Sequence, residues 1–157
     1  MEECIIYTPL GFAKITGNND GITSISILNS EENITDIIPE VLEDCVYQLQ
    51  DYFNGKRQQF QLKLNPKGTE FQKSVWITLQ KIPFGRTVSY SELSKQLNNI
   101  KAIRAIAAAN GKNPILIVIP CHRVIGSDGS LTGYAGGLAR KQWLLKHENP
   151  CKQQSLF

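Results

Sequence analysis

Residues 89–110 read Ser-Tyr-Ser-Glu-Leu-Ser-Lys-Gln-Leu-Asn-Asn-Ile-Lys-Ala-Ile-Arg-Ala-Ile-Ala-Ala-Ala-Asn. Ser89 followed three residues later by Glu92 is a capping box, which makes Ser89 an N-cap and starts a short helix through Leu97. Asn98-Asn99 breaks that helix, and Lys101 to Asn110 forms a second, alanine-rich one. Two short helices joined by a tight polar turn make a helix-turn-helix candidate. Many unrelated helix pairs share this pattern, so its meaning depends on the flanking sequence.

Upstream, Phe71, Val75, Leu79 and Ile82 mark an amphipathic helix, widened by Trp76 and stopped by Pro83 and Gly85. Downstream, Ile115 to Ile119 is a continuous apolar run with β-branched bias, read as a buried strand that leads into Pro120-Cys121-His122-Arg123. Gly126-Ser127-Asp128-Gly129 and the glycines at 133, 136 and 137 form a loop or wing. A last helix spans Leu138 to Glu148 before Pro150, with Lys141 and Lys146 expected on its surface.

The first part of the chain is built differently. Cys4–Thr8, Phe12–Thr16 and Ile22–Leu28 are rich in β-formers, with a turn at Asn18–Gly21, and suggest a small antiparallel sheet. Pro39 opens a helix in which Val41, Cys45, Leu49 and Phe53 recur at helical spacing, ended by Asn54-Gly55. Phe60, Leu62 and Leu64 alternate as a final strand. Asn65-Pro66-Lys67-Gly68 then reads as a linker, dividing the chain into residues 1–65 and 66–157.

Charge follows the same division. Residues 1–65 carry four basic and ten acidic side chains, a net −6, while residues 66–157 carry thirteen basic and four acidic, a net +9. That split points to a polyanion met by the C-terminal part. The 157 residues, 41% hydrophobic, suffice for a buried core. No apolar run spans a bilayer and the N-terminus lacks the pattern of a signal peptide, so a soluble intracellular protein, cytoplasmic or nuclear, is expected. Cysteines at 4, 45, 121 and 151 form no C-x-x-C pair and the only histidines are His122 and His147, which argues against a disulfide scaffold and against bound zinc.

Cys121 stands out chemically. With His122 and Arg123 beside it, its surroundings are electropositive, a setting that favours a thiolate nucleophile. A zinc deaminase would need Pro-Cys-x-x-Cys and an upstream His-x-Glu, but position 124 is Val and no histidine precedes His122. A Cys-His hydrolase needs imidazole in reach of sulfur, and neighbours in extended backbone point to opposite faces. A DNA-binding regulator would explain charge and helix pair while leaving Pro-Cys-His-Arg idle.

Ile119-Pro120-Cys121-His122-Arg123-Val124 and Gly133-Tyr134-Ala135-Gly136-Gly137-Leu138 closely resemble the active-site signature of the O6-alkylguanine-DNA alkyltransferases. The likeness extends through Pro83–Tyr90, Arg104–Ala107 and Lys112-Asn113-Pro114, roughly residues 68–149 in all. It implies an α/β (α+β) protein with a small sheet-and-helix N-terminal domain, ribonuclease H-like in outline, and a winged-helix-type C-terminal domain carrying the cysteine. It further implies a single-turnover repair protein that flips O6-alkylguanine from duplex DNA, through the minor groove, and takes the alkyl group onto Cys121. O4-alkylthymine is a further substrate candidate. The alternative is a non-catalytic, alkyltransferase-like damaged-DNA binder, which Cys121 disfavours.

By the same resemblance, Glu148 and His122 relay the thiol proton and Asn113 braces the turn before the active-site segment. Tyr90 meets the flipped base, Tyr134 lines the alkyl pocket, and backbone at Cys121, Val124 and Ala135 meets the base edge. Arg104 enters the base stack; Ala102 and Ala105 allow close approach to the groove. Ser91, Asn99 and Ser127 match phosphate-contacting positions. No cofactor, no metal, no membrane and a monomeric state are expected. Departures are Ala107 and Ala108 where glycine is frequent, Ala135 where some members have serine, and an N-terminal part without histidine, so that the zinc site of some members is expected to be missing.

Overall fold

The computed structural model describes residues 1–131 and 133–149. Pro150 and Cys151 lie outside the described residues. The chain divides into two compact units. One comprises Met1–Lys67 with Pro114–Leu116, the other Gly68–Asn113 with the residues from Ile117 onward.

In the first unit, β1 (Glu2–Thr8), β2 (Gly11–Asn18) and β3 (Gly21–Ile27) form an antiparallel sheet in that order. Cys4 lies opposite Ile15, and Ile15 opposite Ile25. Alternation puts Cys4, Ile6, Ala13, Ile15, Ile25 and Ile27 on the buried face. Helix α1 (Glu40–Phe53) packs against β1 and β2. Its buried stripe is Leu42, Cys45, Val46, Leu49 and Tyr52, whereas Val41 and Phe53 at the ends of the expected stripe are only half-buried.

The strand expected at Phe60–Leu64 reduces to a single parallel bridge between Leu64 and Ile22. The side chain of Gln48 takes over the rest: its Nε2 donates to the Gln61 carbonyl at 3.1 Å and its Oε1 accepts from the Gln61 amide at 2.9 Å. The segment is held by a helix side chain in place of a ladder. The strand expected at Ile115–Ile119 is likewise corrected. Only Ile115 bridges, to Ile25, after which Leu116–Val118 turn and Ile117 adopts φ 74°. Ile115, Leu116, Ile117 and Ile119 are all buried, so the apolar run reported burial correctly but not backbone shape. Together the two bridged segments cover the outer edge of β3, which would otherwise present unpaired backbone groups.

The second unit begins with α2 (Glu70–Leu79), started by a Thr69–Gln72 capping box. Val75, Trp76 and Leu79 are buried, and the Trp76 indole N–H donates to the Ala109 carbonyl at 2.9 Å. That bond ties α2 to α4 (Ile103–Gly111), the second helix of the pair; α3 (Tyr90–Gln96) is the first. Ser89 caps α3 as the sequence implies: its hydroxyl accepts from Glu92 N, and Glu92 Oε1 accepts from Ser89 N. Asn98 at φ 54° turns the chain out of α3, and a 3-10 turn, Ile100–Ala102, leads into α4. The short strands β4 (Val88–Ser89) and β5 (Val124–Ile125) pair in parallel, and α5 (Leu138–Glu148) closes the unit. No helix among the described residues is long and apolar enough to cross a membrane.

Ser89→Ala removes one half of the capping box at the entrance to the helix pair. It is expected to lower the unfolding free energy by about 1 kcal/mol, read as a lower urea midpoint at unchanged slope.

Candidate active site

The reactive segment is positioned by two tight turns in succession. Pro120, at φ −83° and ψ 61°, centres an inverse γ-turn in which Cys121 N donates to the Ile119 carbonyl at 2.8 Å. The same carbonyl accepts Asn113 Nδ2 at 2.7 Å, so one oxygen fixes both the turn and its brace. Cys121–Arg123 then form one turn of 3-10 helix. The backbone here is not extended, which corrects the expectation that Cys121 and His122 project to opposite faces.

Beneath the turn sits a buried ionic cluster. Arg123 grips the Glu148 carboxylate with two donors, Nε to Oε1 at 2.7 Å and Nη2 to Oε2 at 3.0 Å, while its Nη1 donates to the Ile82 carbonyl at 2.6 Å. His122 Nε2 meets Glu148 Oε2 at 2.8 Å. Glu148 is 2% exposed and His122 fully buried, so Glu148 is no solvated helix end. Burial pushes the Glu148 carboxyl up, but hydrogen bonds and charge from His122 and Arg123 outweigh it and bring the group to about 2. Burial lowers the His122 pKa and leaves the ring neutral, against the pull of Glu148. An ionised carboxylate at Nε2 requires the ring proton there, so Nδ1 carries the lone pair, and Nδ1 has no hydrogen-bond partner among the described residues.

The thiol differs from the sequence-based expectation. Burial pushes Cys121 up to about 11, and the Asn113 hydrogen bond and the charge of Lys141 only partly counter it. Cys4 and Cys45, also buried, are raised to about 11 and about 12 with nothing pulling them down. What separates Cys121 from the other two is therefore the neighbours able to favour its anion. Lys141 was expected on the surface; it is fully buried, with Nζ donating to the Val124 carbonyl at 2.6 Å. Its position one turn into an apolar-facing helix gave no sequence signal of that. Among the described residues no group of three His, Cys, Asp or Glu side chains is placed to hold a metal ion.

Beside the turn, Tyr90, Ala107, Gly111, Gly133, Tyr134 and Ala135 line a cleft of about 440 Å³. Tyr134 faces the His122 ring edge-on at 6.5 Å between centroids. A Cβ at Gly136 would lie 2.7 Å from the Tyr134 ring, so only glycine lets that ring take its place. Val124 is buried, Ala135 exposed, and Tyr90 and Tyr134 half-buried. On the helix pair Asn99, Arg104 and Ala105 are exposed, Ser91 and Ala102 half-buried, and Ser127 is exposed on the glycine-rich loop. Lys95, Lys101, Arg104 and Lys112 make the exposed face of the pair basic. Asn110, absent from the sequence-based site, is 2% exposed and donates through Nδ2 to the Cys121 carbonyl at 3.4 Å.

A model of the 6-O-methylguanine DNA methyltransferase DNA-binding domain matches residues 70–150, and one of the ribonuclease-like domain of the same proteins matches residues 3–66. The chain belongs to the 6-O-methylguanine DNA methyltransferase family. A methylated-DNA–protein-cysteine methyltransferase of Methanosarcina acetivorans is 42% identical over 158 aligned residues, covering 96% of this chain and all of that protein. An O6-methylguanine methyltransferase structure from Mycobacterium tuberculosis superposes with a TM-score of 0.84 at 37% identity, over 99% of both chains. A structure of the OGT of that organism in complex with DNA gives 0.83 at 41% identity, over 92% of this chain and 91% of that one. In this family member the basic helix pair and the buried cysteine thus fall in the segment matched by the DNA-binding domain.

The buried cluster sets the acid limb of stability. A neutral buried His122 binds its proton less readily than in the unfolded chain, so stability falls as pH drops below about 6.5, the ordinary value for the ring. Glu148, depressed from 4.5 to about 2, adds stability above 4.5 that is lost as pH falls towards 2. Urea midpoints measured from pH 8 to pH 3 are expected to decline continuously below about pH 6.5. A midpoint flat down to pH 4 would contradict the buried neutral ring.

Proposed function

We propose that this chain is a direct-reversal DNA repair protein in which Cys121 accepts the alkyl group of O6-alkylguanine. The observation that carries the reading is the His122–Glu148–Arg123 cluster placed directly beneath the Cys121 turn. A thiol held near 11 is almost entirely protonated at neutral pH, so the nucleophile has to be made in place. His122 Nδ1 is the acceptor, and Glu148 stabilises the imidazolium that results. Sulfur then attacks the alkyl carbon, the carbon–O6 bond breaks with its electron pair going to guanine, and guanine takes up a proton from solvent. The product is a thioether, which offers no carbonyl for water to attack, so each molecule acts once. No cofactor is required, because the damaged base itself carries the electrophile.

The cleft between Tyr90 and Tyr134 fits a base turned out of the helix, and small residues on α4 suit close approach to a minor groove. In this reading residues 1–65 form a variable domain and residues 66–157 the DNA-binding and alkyl-acceptor domain. One chain carries every group the reaction uses, which fits a monomer. Tyr90, Val124, Tyr134 and Ala135 contact the base; Ser91, Asn99, Ala102, Arg104, Ala105 and Ser127 contact DNA; Asn113 holds the turn. The damaged-DNA binder that cannot accept the group has no support in the residues, since the acceptor position holds a cysteine.

Intact-protein mass spectrometry after mixing with duplex containing O6-methylguanine is expected to show one methyl mass, on Cys121, and peptide mapping none on Cys4, Cys45 or Cys151. Cys121→Ser is expected to bind DNA and transfer nothing. Methyl on any other cysteine, or more repaired lesion than protein, sinks the assignment.

Arg104, exposed on α4, tests the base-flipping step separately. A side chain that fills the vacated place offsets part of the few kcal/mol that unstacking costs. Arg104→Ala is expected to lose about tenfold or more in rate on saturating duplex, for each ~1.4 kcal/mol forfeited, while reacting normally with free O6-benzylguanine. Parental rates at DNA saturation would reduce Arg104 to part of the basic surface.

A further inference from the structure

Helix α5 starts without the usual devices. Its N-cap is Gly137, no side chain caps it, and its first turn holds no acidic residue. It holds instead two cations, Arg140 and Lys141, at the end where the helix dipole disfavours positive charge. Lys141 is accounted for by the Val124 carbonyl and by its field at Cys121. Arg140 is half-buried, and its Nη1 reaches back one turn to donate to the Gly136 carbonyl at 3.1 Å.

Gly136 is buried and is the residue against which the Tyr134 ring packs, since a Cβ there would stand 2.7 Å from the ring. Gly137 N donates to the Tyr134 carbonyl at 2.9 Å, so residues 134–137 form a tight turn that carries the ring. The Tyr134 hydroxyl is buried and has no hydrogen-bond partner among the described residues, so the polar end of the side chain does not fix its place. Burial pushes the phenol well up, the charges of Cys121 and Glu148 add to that, and the Arg140 charge pulls the other way, which puts the guanidinium within electrostatic range of the side chain whose turn it holds.

We propose that Arg140 is a positioning residue: its bond to the Gly136 carbonyl seats the Tyr134 ring and thereby sets the width of the cleft that receives the alkyl group. The proposal rests on the alkyltransferase reading and adds to it what ranks one alkyl group against another. A methyl group leaves the space beside the ring loosely filled, so its alignment with sulfur depends on a wall held from outside. A benzyl group fills that space by its own bulk and orders the wall as it enters. Removing the brace therefore penalises the small group, whose near-attack geometry it alone secures.

Single-turnover rates are measured at saturating duplex carrying either O6-methylguanine or O6-benzylguanine, so that a loss of DNA affinity does not enter. Arg140→Met keeps the apolar stem and removes every donor. It is expected to slow methyl transfer about tenfold, well inside the roughly hundredfold that a misplacement of about 1 Å costs, and to leave benzyl transfer within about threefold of the parental rate. Arg140→Ala, which loses the stem as well, is expected to change the benzyl-to-methyl ratio in the same direction. Both rates belong to the folded molecules, so partial unfolding lowers the amplitude and not the ratio. In a Tyr134→Ala background, Arg140→Met is expected to change the ratio no further, because the residue acts through that ring. Equal slowing of both lesions reduces Arg140 to a fold or DNA contact and overturns the proposal. A ratio left at its parental value overturns it too, as does a shift of undiminished size without the Tyr134 ring. A parental protein that transfers neither group is a different result and sinks the function itself.

Discussion

The carboxylate of Glu148 is the constraint on which the second unit turns. It arrives at the end of α5, 2% exposed, and meets two consecutive residues, His122 and Arg123, through three hydrogen bonds. Arg123 in turn reaches back to Ile82 and lies 5.9 Å from the centroid of the Phe84 ring. One acidic side chain therefore joins the last helix, the reactive turn and the segment that follows α2. Removing one partner of such a buried pair typically costs about 3–5 kcal/mol. A salt bridge of this kind is a poor source of net stability, but here it joins the Arg123 guanidinium, the Glu148 carboxylate and the neutral His122 ring in one hydrogen-bonded arrangement.

Reactivity and burial are reconciled by the same cluster. A permanently ionised thiolate on the surface would be open to oxidation and to any passing electrophile. Here the sulfur is 1% exposed and held in its inert, protonated form by desolvation. Asn113 hydrogen-bonds to it, the ammonium of Lys141 lies within electrostatic range, and His122 follows it in the same 3-10 turn. In the reaction proposed above, the nucleophile is made in place and not stored as a thiolate.

The sequence displayed the chemistry more openly than the architecture. The Ser89–Glu92 capping box, the Asn98 break and the basic helix pair were legible because each depends on local residues alone. Pro120–Arg123 was legible as a motif. The backbone of Ile115–Ile119 was not, because an apolar run reports burial whichever way the chain bends, and nothing local announces that Ile117 will take φ 74°. Phe60–Leu64 alternated like a strand, yet the partner that holds it is Gln48, a polar residue on the preceding helix. Lys141 and Asn110 escaped for a related reason. Charged and amide side chains default to solvent, and only the fold reveals that a carbonyl was waiting for each, Val124 for one and Cys121 for the other.

His122 and Glu148 are 26 positions apart, with the carboxylate downstream. Translation therefore delivers the thiol, the imidazole and the guanidinium well before the group that organises them. Until α5 forms, Arg123 lacks its counter-ion and His122 lacks the anion that sets its tautomer, and only the Asn113 brace upstream is available to the turn. The cluster is therefore completed only when α5 is folded against the turn.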